Sequence, residues 1–371
     1  MSIILFIVIL AILVLVHEFG HFIVAKKSGI RVDEFGIGFP PKLFGFTRGE
    51  TRWTINMIPF GGFVKIFGEN PDQESIRGPD SKRSFINKPK WIQALVLVAG
   101  VSFNLIFAWL LISFGFVWGL PTPANYPGAE KLENTSLVIT GVMEGSPAFR
   151  SGLAAGDSVL SLQAGSSLLS DSASGESVLL SPESFVDFIE KHGNEEVSIK
   201  YRRGQDILLA VVRPTEGILP DKKAIGVSID MIGLLKLPLH KAFWEGARTT
   251  INLTGQVAVG LAYFIFDAIR GVGDFSQVTG PVGIAGLVGN ASALGLVYLL
   301  SFTAFISINL AVINLIPFPA LDGGRLLFVL IEKIKGSPIP TKIANTLNAV
   351  GFVLLLLLML AVTYHDIVKL L

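Results

Sequence analysis

The residues with the clearest chemical potential lie near the N-terminus, in the stretch LVLVHEFGHFIVAKK at positions 13–27. His17 and His21 are four positions apart, so on a helix the two imidazoles share one face. HExxH on a helix is typical of a zinc site in which two histidines bind the metal and the intervening glutamate is the general base. The spacing therefore predicts His17 and His21 as metal ligands and Glu18 as the catalytic base.

The motif lies within an apolar segment. Hydrocarbon side chains dominate Ile3–Val16 before the motif and resume at Phe22–Ala25 after it. A carboxylate in the bilayer core costs a few kcal/mol, and ionisable groups retained there are by default functional. The alternative is a helix end that has already reached water, but the apolar residues before Lys26 and Lys27 argue against it. We therefore expect a metal site within the membrane.

A third ligand is needed, because catalytic zinc usually takes three protein ligands and leaves one position for water. The chain has no cysteine, and Asp322 in AVINLIPFPALDGGRLLF is the best candidate. It is expected at a depth comparable to that of His17, which lies roughly 20 Å along its own helix. Pro317 and Pro319 interrupt the helix before it, and Gly323-Gly324 allows a close approach to a neighbour. On spacing alone, a loop aspartate at the end of a span remains the alternative. The other histidines are expected at unsuitable depths or on the wrong side: His192, His240 and His365.

The composition indicates an integral membrane protein. Of 371 residues, 51% are hydrophobic and only 16% are charged, against about a quarter charged in ordinary soluble domains. No run of Lys and Arg suggests a nucleic-acid partner. The sequence predicts a multi-pass α-helical membrane protein whose partner is the lipid bilayer. Four stretches are long and apolar enough to cross it, and we place the transmembrane helices at residues 1–25, 91–120, 294–324 and 344–364.

The basic residues predict the orientation. They are concentrated at the two flanks of the loop between Lys26 and Lys90, whereas PTPANYPGAE after Leu120 has none. Positive residues favour the cytoplasmic side. We therefore expect this first loop to be cytoplasmic and both termini to be extracytoplasmic.

The first loop carries a predicted β-region at residues 31–68. VDEFGIGFPPKLFGF and TRWTINMIPFGGFVKIFGE are β-favouring runs punctuated by Gly and Pro, typical of one or two hairpins. They are unusually apolar for a solvated loop. The pattern leaves two alternatives, a small soluble sheet or a sheet that dips into the membrane where protein or a wet cavity satisfies its backbone.

A soluble module is predicted between the second and third spans, at residues 127–231. Its strand patterns flank a helix expected at Pro182–His192, which Ser181 can cap, and a hairpin expected around Gly204. Residues 240–270 follow with helical spacing of apolar side chains. We predict an amphipathic helix on the membrane surface there; partial insertion is the alternative.

The motifs taken together resemble a known family. HEFGH at 17–21 and NLIPFPALDG at 314–323, in this order and on either side of a soluble module, resemble the site-2 proteases, which are intramembrane zinc metalloproteases. The resemblance covers nearly the whole chain. It implies that His17, His21 and Asp322 bind Zn²⁺, that Glu18 is the base, and that the module is a single extracytoplasmic PDZ domain. Some members carry two tandem PDZ domains, and this chain has room for about one.

The resemblance also implies substrate-binding residues and a reaction. Asn314 and Pro317 match the family motif that helps to hold an extended substrate strand, and a β-edge at Gly62, Phe63 and Val64 would pair with that strand. The implied reaction is hydrolysis of peptide bonds within transmembrane segments of single-span membrane proteins, such as anti-sigma factors or signal-peptide remnants. The implied location is the bacterial cytoplasmic (inner) membrane. The PDZ domain would either capture a new C-terminus near residues 225–227 or filter substrates by size.

Two other classes of protein fit the residues less well. A non-catalytic membrane adaptor that used the metal for structure would be expected to have lost Glu18, which is present. A metal transporter predicts further polar residues in the second and fourth spans, and the fourth has almost none. The sequence therefore favours an enzyme.

Overall fold

The computed structural model describes residues 2–126, 132–143, 145–170, 180–219, 222–273 and 278–370. The chain forms two compact units. The first comprises Met1–Phe114, Phe243–Asn290 and Leu300–Leu371, and the second comprises Gly115–Ala242 and Ala291–Leu299. The helices, in chain order, are α1 (Ser2–Lys27), α2 (Gln73–Arg77), α3 (Lys90–Trp118), α4 (Pro147–Arg150), α5 (Pro182–Lys191), α6 (Leu239–Ile269), α7 (Pro281–Leu294), α8 (Leu296–Leu315), α9 (Asp322–Lys335) and α10 (Thr341–Leu370).

Five helices in the described part of the chain are long and apolar enough to cross a membrane: α1, α3, α6, α8 and α10. Several such spans are what the composition predicted, and they support a membrane protein. The additional candidate is α6, which the sequence analysis places on the membrane surface. It is the least apolar of the five, and its placement on the surface stays a prediction.

The segment that the sequence analysis treats as one span, 294–324, is divided by a turn. α8 ends at Leu315 and α9 begins at Asp322. Pro317 and Pro319 have no backbone N–H, so a helix cannot continue through them without losing hydrogen bonds. The turn is closed instead by Phe318 N–H donating to the carbonyl of Ile316 over 2.7 Å. Asp322 is therefore the first residue of a new helix rather than part of a continuous span.

The β-region consists of β1 (Val32–Arg48) and β2 (Thr51–Ile66), which form a hairpin with a tight turn at Gly49, where φ is +66°. The second part of β1 runs antiparallel to the start of β2, whereas residues 34–37 run antiparallel to residues 62–65 and in the same direction as residues 52–55. The pairing is unusual because the first part of β1 pairs with both ends of β2. Phe35 lies opposite Trp53 on one side and opposite Val64 on the other. Residues 62–66 of β2 therefore lie at the outside of the sheet, next to α1.

The far end of this hairpin exposes large apolar side chains. Phe39, Leu43, Phe44 and Met57 are 43%, 65%, 59% and 56% exposed. Exposed apolar groups at this density are uncommon on a soluble surface, and they mark a surface that contacts lipid or another protein.

The base of the hairpin is fixed to the helices. Ala25 after the motif in α1, Val32 of β1, Ile66 of β2, Val96 of α3 and Val329 of α9 belong to one buried apolar cluster. The turn is also tied to α1, because Glu50 pairs with Arg83 and Lys26. These hydrogen bonds lower the pKa of Glu50, and the bond from Arg83 contributes more than the bond from Lys26. The sheet is thus held against the helix that carries the histidines.

The second unit contains a seven-stranded antiparallel sheet. Its strands follow the order β3 (Leu120–Pro123), β11 (Val227–Leu235), β4 (Leu132–Val142), β5 (Ser158–Ala164), β7 (Val197–Arg203) and β8 (Asp206–Val212), and β6 (Ser167–Ser170) pairs with β5. Ser181 caps α5 through a capping box, and Gly204 forms the turn between β7 and β8 with φ +62°. The helix and hairpin predicted at these positions are therefore confirmed. The PDZ assignment for 127–231 stays a prediction, and its residues 127–131, 144, 171–179 and 220–221 lie outside the described part of the chain. Two further strands are β9 (Thr215–Leu219) and β10 (Lys222–Ala224).

Candidate metal centre and active site

The two histidines of α1 point to the same place. The Nε2 atoms of His17 and His21 are 3.1 Å apart, and the rings meet edge to face with centroids 4.7 Å apart. Both residues are buried, with 7% and 6% of their surface exposed. One turn of helix separates them, so the helix itself aligns the two nitrogens.

Asp322 completes a triangle with the two imidazoles, across 305 residues of sequence. Its Oδ2 lies 2.9 Å from Nε2 of His17 and 3.3 Å from Nε2 of His21. These three residues are the group in the described part of the chain that could hold a metal ion. The proximity predicted for Asp322 is therefore observed.

The donor set fits zinc. Ligands bound to one tetrahedral zinc ion at 2.0–2.2 Å lie about 3.3 Å from one another, and the three observed separations are 2.9, 3.1 and 3.3 Å. Nδ1 of His21 lies 2.8 Å from the carbonyl oxygen of Val96. A carbonyl can only accept, so it fixes the hydrogen of His21 on Nδ1 and leaves a lone pair on Nε2, the nitrogen that faces the triangle.

A glycine of α3 makes room for the imidazoles. A Cβ added at Gly100 would lie 2.4 Å from Nε2 of His21 and 2.8 Å from Nε2 of His17. Gly20 plays the reciprocal part on α1, since a Cβ there would lie 2.5 Å from the carbonyl oxygen of Ala99. The sequence analysis did not assign a role to Gly100. The available signal was a glycine in an otherwise apolar helix, where it is unfavourable by about 1 kcal/mol relative to alanine.

Two further glycines position Asp322. A Cβ at Gly323 would lie 2.2 Å from the carbonyl oxygen of Ile316, and one at Gly324 would lie 2.2 Å from that of Phe318. Both distances are far shorter than any real contact, so only glycine allows α9 to begin directly against the preceding turn. The close approach predicted for Gly323-Gly324 is therefore present, but its partner is the preceding turn of the same segment rather than a neighbouring element.

Glu18 projects from the next position of α1 toward the sheet. Its Oε2 accepts a hydrogen bond of 2.9 Å from the backbone N–H of Val64. The neighbouring Gly62 is buried, while Phe63 and Val64 are half-buried. The strand predicted to bind substrate therefore lies directly beside the predicted base.

The other predicted substrate-binding residues lie just before the aspartate. Asn314 is half-buried in the last turn of α8, and Pro317 is exposed in the turn that follows. Among the described contacts, neither residue touches the three candidate ligands. The sequence analysis missed Arg325, which lies one turn after Asp322 in α9. Its ion pair with Glu69 joins α9 to the segment after β2.

This fold and this site define a class of protein. An HExxH helix long enough to span a membrane, completed by a distant aspartate beside two glycines, is the arrangement of a membrane-embedded metallopeptidase. The model of peptidase family M50 matches residues 5–358, and the chain belongs to this family. The family prediction is confirmed, and the protein is a zinc metalloprotease of the site-2 protease type.

Curated relatives match along their whole length. A Clostridium perfringens protein, provisionally named a zinc metalloprotease, is 35% identical over 96% of this chain and 95% of its own. Zinc metalloprotease RasP of Shouchella clausii is 30% identical over 98% of each chain. Regulator of sigma-W protease RasP of Bacillus subtilis is 28% identical over 100% of this chain and 99% of its own.

Proposed function

We propose that this protein hydrolyses peptide bonds within the transmembrane segments of single-span membrane proteins, with zinc held by His17, His21 and Asp322. The observation that supports the proposal is the triangle of two imidazole nitrogens and one carboxylate oxygen, with sides of 2.9, 3.1 and 3.3 Å. Both imidazoles belong to α1, which is apolar and long enough to cross a membrane. A hydrolytic centre at this position would act on a chain that lies in the bilayer.

The chemistry divides between the metal and Glu18. Zinc bound in this site supplies Lewis-acid polarisation of the scissile carbonyl and a water of lowered pKa. The Glu18 carboxylate takes the proton from the attacking water and passes it to the leaving amide nitrogen. The hydrogen bond from Val64 holds one oxygen of this carboxylate, Oε2, and leaves the other free to accept the proton.

Substrate binding uses the outer edge of β2. A transmembrane helix protects its amides in its own hydrogen bonds, so the segment to be cut must first be extended. Residues 62–66 pair with β1 on one side, and an extended substrate adds on the other side by strand pairing along Gly62, Phe63 and Val64. The N–H of Val64 already donates to Glu18, so this pairing uses the other backbone groups of the three residues. Asn314 and Pro317, which lie just before Asp322 in the chain, contact the same strand of the substrate.

The site opens toward the cytoplasmic side of a bacterial inner membrane, and both termini are extracytoplasmic. The flanking Lys and Arg residues of the first loop support this orientation. The exposed Phe39, Leu43 and Phe44 of the hairpin support a sheet that dips into the membrane, of the two alternatives left open by the sequence.

Residues 127–231 form an extracytoplasmic PDZ domain that selects substrates. We favour a size filter over capture of a new C-terminus at Ile225–Val227. Membrane proteins that restrain transcription factors, such as anti-sigma factors, are the substrate class that the name of the Bacillus subtilis relative supports.

A reconstitution experiment tests the proposal. The purified full-length protein is incubated in lipid vesicles with a single-span model substrate, in the presence and absence of a zinc chelator. Cleavage within the transmembrane segment that stops with chelator and returns with added zinc is expected. Cleavage that is insensitive to chelator, or no cleavage of any single-span substrate despite bound zinc, would overturn it; the second result would favour an adaptor.

A further inference from the structure

A buried amide lies beside one of the candidate zinc ligands. Asn104 of α3 is fully buried, at 0% exposure. Its Nδ2 lies 3.4 Å from Nδ1 of His17. Its Oδ1 has no hydrogen-bond partner among the described residues. An unpaired buried carbonyl oxygen costs about 1–3 kcal/mol, so its presence next to a metal ligand calls for a functional reason.

The position of the ring hydrogen on His17 is coupled to the end of the Asn104 amide that faces the ring. The terminal amide of Asn104 faces Nδ1 of His17, so its orientation decides whether Nδ1 accepts a hydrogen bond or donates one. With the NH₂ group turned to Nδ1, the ring hydrogen would lie on Nε2 and leave no lone pair there for a metal.

Metal binding requires the opposite tautomer. Nε2 must present its lone pair, so the hydrogen moves to Nδ1, which then needs an acceptor. The unpaired Oδ1 of Asn104 is such an acceptor, and a half-turn of the amide about the Cβ–Cγ bond exchanges it with Nδ2. A carboxamide is the side chain that can donate in one state and accept in the other at almost the same position.

We propose that Asn104 is a positioning residue for His17: its Oδ1 accepts from Nδ1–H and so keeps the lone pair of Nε2 directed at the metal position. This inference rests on the proposed function, since it takes His17 as a zinc ligand. For His21 the backbone carbonyl of Val96 has the same part, because it lies 2.8 Å from Nδ1.

A hydrogen bond fixes the backbone of Asn104. The hydroxyl of Ser307 in α8 donates to the backbone carbonyl of Asn104 over 2.8 Å and joins this part of α3 to its neighbour. Gly100, one turn earlier on the same face of α3, lets both imidazoles approach. The same face of α3 thus admits the imidazoles and presents the Asn104 amide to His17.

The test is the zinc dissociation constant of the full-length protein, measured by chelator competition. Asn104→Leu keeps the size and removes the acceptor, and a 10–100-fold weaker affinity is expected, as for other outer-shell partners of metal ligands. Asn104→Asp restores an acceptor for Nδ1–H, and its affinity is expected to stay within about threefold of wild type or to become tighter. Asn309→Leu is the matched control, because Asn309 is half-buried on α8 and its side chain donates to the carbonyl of Phe305; this variant should bind zinc as wild type does.

The outcomes separate this inference from the proposed function. If Asn104→Leu binds zinc as tightly as wild type, the positioning role is wrong. If Asn104→Asp loses affinity by more than about tenfold, the acceptor argument is wrong, and this result does not depend on whether Asn104→Leu folds. If wild type and Asp322→Asn bind zinc equally, the proposed metal site itself fails, whatever Asn104 does.

Discussion

The carboxylate of Glu18 and the backbone N–H of Val64 are joined by a hydrogen bond of 2.9 Å. The bond links α1, which carries His17 and His21, to the outer strand of the hairpin of β1 and β2. It places a proton acceptor and a strand edge within one hydrogen bond of each other. A substrate that adds to this edge would therefore present its backbone directly to the base.

Glu18→Gln should abolish proteolysis and leave zinc binding intact. The amide oxygen of Gln still accepts from Val64, so the strand stays in place, but the side chain can no longer take a proton. Loss of a general base typically costs about 10²–10⁴-fold in rate. Cleavage of a model substrate and zinc content are both measured. Glu34→Gln is the control, because Glu34 accepts from the Thr54 hydroxyl and Gln preserves that bond; substantial turnover by Glu18→Gln would reject the base assignment.

Asp322→Asn should lose zinc. The substitution keeps the shape of the side chain and replaces an anionic oxygen ligand with a neutral one. We expect the affinity to fall by more than the 10–100-fold typical of outer-shell changes. Metal analysis after dialysis measures this. Asp33→Asn changes an aspartate that pairs with Arg31 instead, and it should retain zinc; unchanged metal in Asp322→Asn would remove this residue as a ligand.

Gly100→Ala should disturb the metal site, although Gly100 is not itself a candidate ligand. The added Cβ would lie 2.4 Å from Nε2 of His21, so the imidazoles or α3 must shift. Zinc affinity is expected to fall by at least about tenfold, as for other changes that misorient a ligand. Gly255→Ala on α6 is the matched control, because a Cβ there meets nothing within 4 Å. Equal zinc affinity of the two variants would contradict the packing argument.

Arg203→Leu should destabilise the second unit and spare the zinc site. Arg203 donates to both carboxylate oxygens of Asp157, which is fully buried, and these hydrogen bonds raise the pKa of the guanidinium. The substitution leaves a buried carboxylate without its cation. Because the Arg203 side chain is 41% exposed, we expect a loss of only about 1–2 kcal/mol in the free energy of unfolding.

Thermal unfolding and limited proteolysis of the second unit measure this loss. Arg202→Leu, at the exposed neighbouring position on the same strand, provides the comparison. An unfolding temperature of Arg203→Leu no lower than that of Arg202→Leu would show that the pair with Asp157 does not stabilise the unit.

Much of the site could be predicted because its signals are local. The four-residue spacing of His17 and His21 sets their relative position through the geometry of one helix. Pro317 and Pro319 predicted irregular backbone before Asp322, and Gly323 predicted a close approach there. Each of these inferences depends on residues within about two turns of one another, so no knowledge of distant packing was needed.

The remaining features depend on contacts between elements that are far apart in sequence. The roles of Gly100 and Asn104 follow from the way α3 packs against α1, and a pattern within α3 contains no information about that partner. The contact between Glu18 and Val64 needs the double pairing of β1 with both ends of β2, which alternation along either strand does not reveal. The division of residues 294–324 into α8 and α9 was predicted only as an irregularity.

The sequence by itself determined the membrane class, the metal-ligand chemistry and the family, since residue types and local spacing carry these properties. Only the tertiary structure decided that Asp322 reaches both imidazoles, that Gly100 admits them and that the outer strand of the hairpin lies beside Glu18. Helical geometry acts over a few residues, whereas the contact between Asp322 and His17 spans 305 positions. Such a contact exists only once the helices have packed.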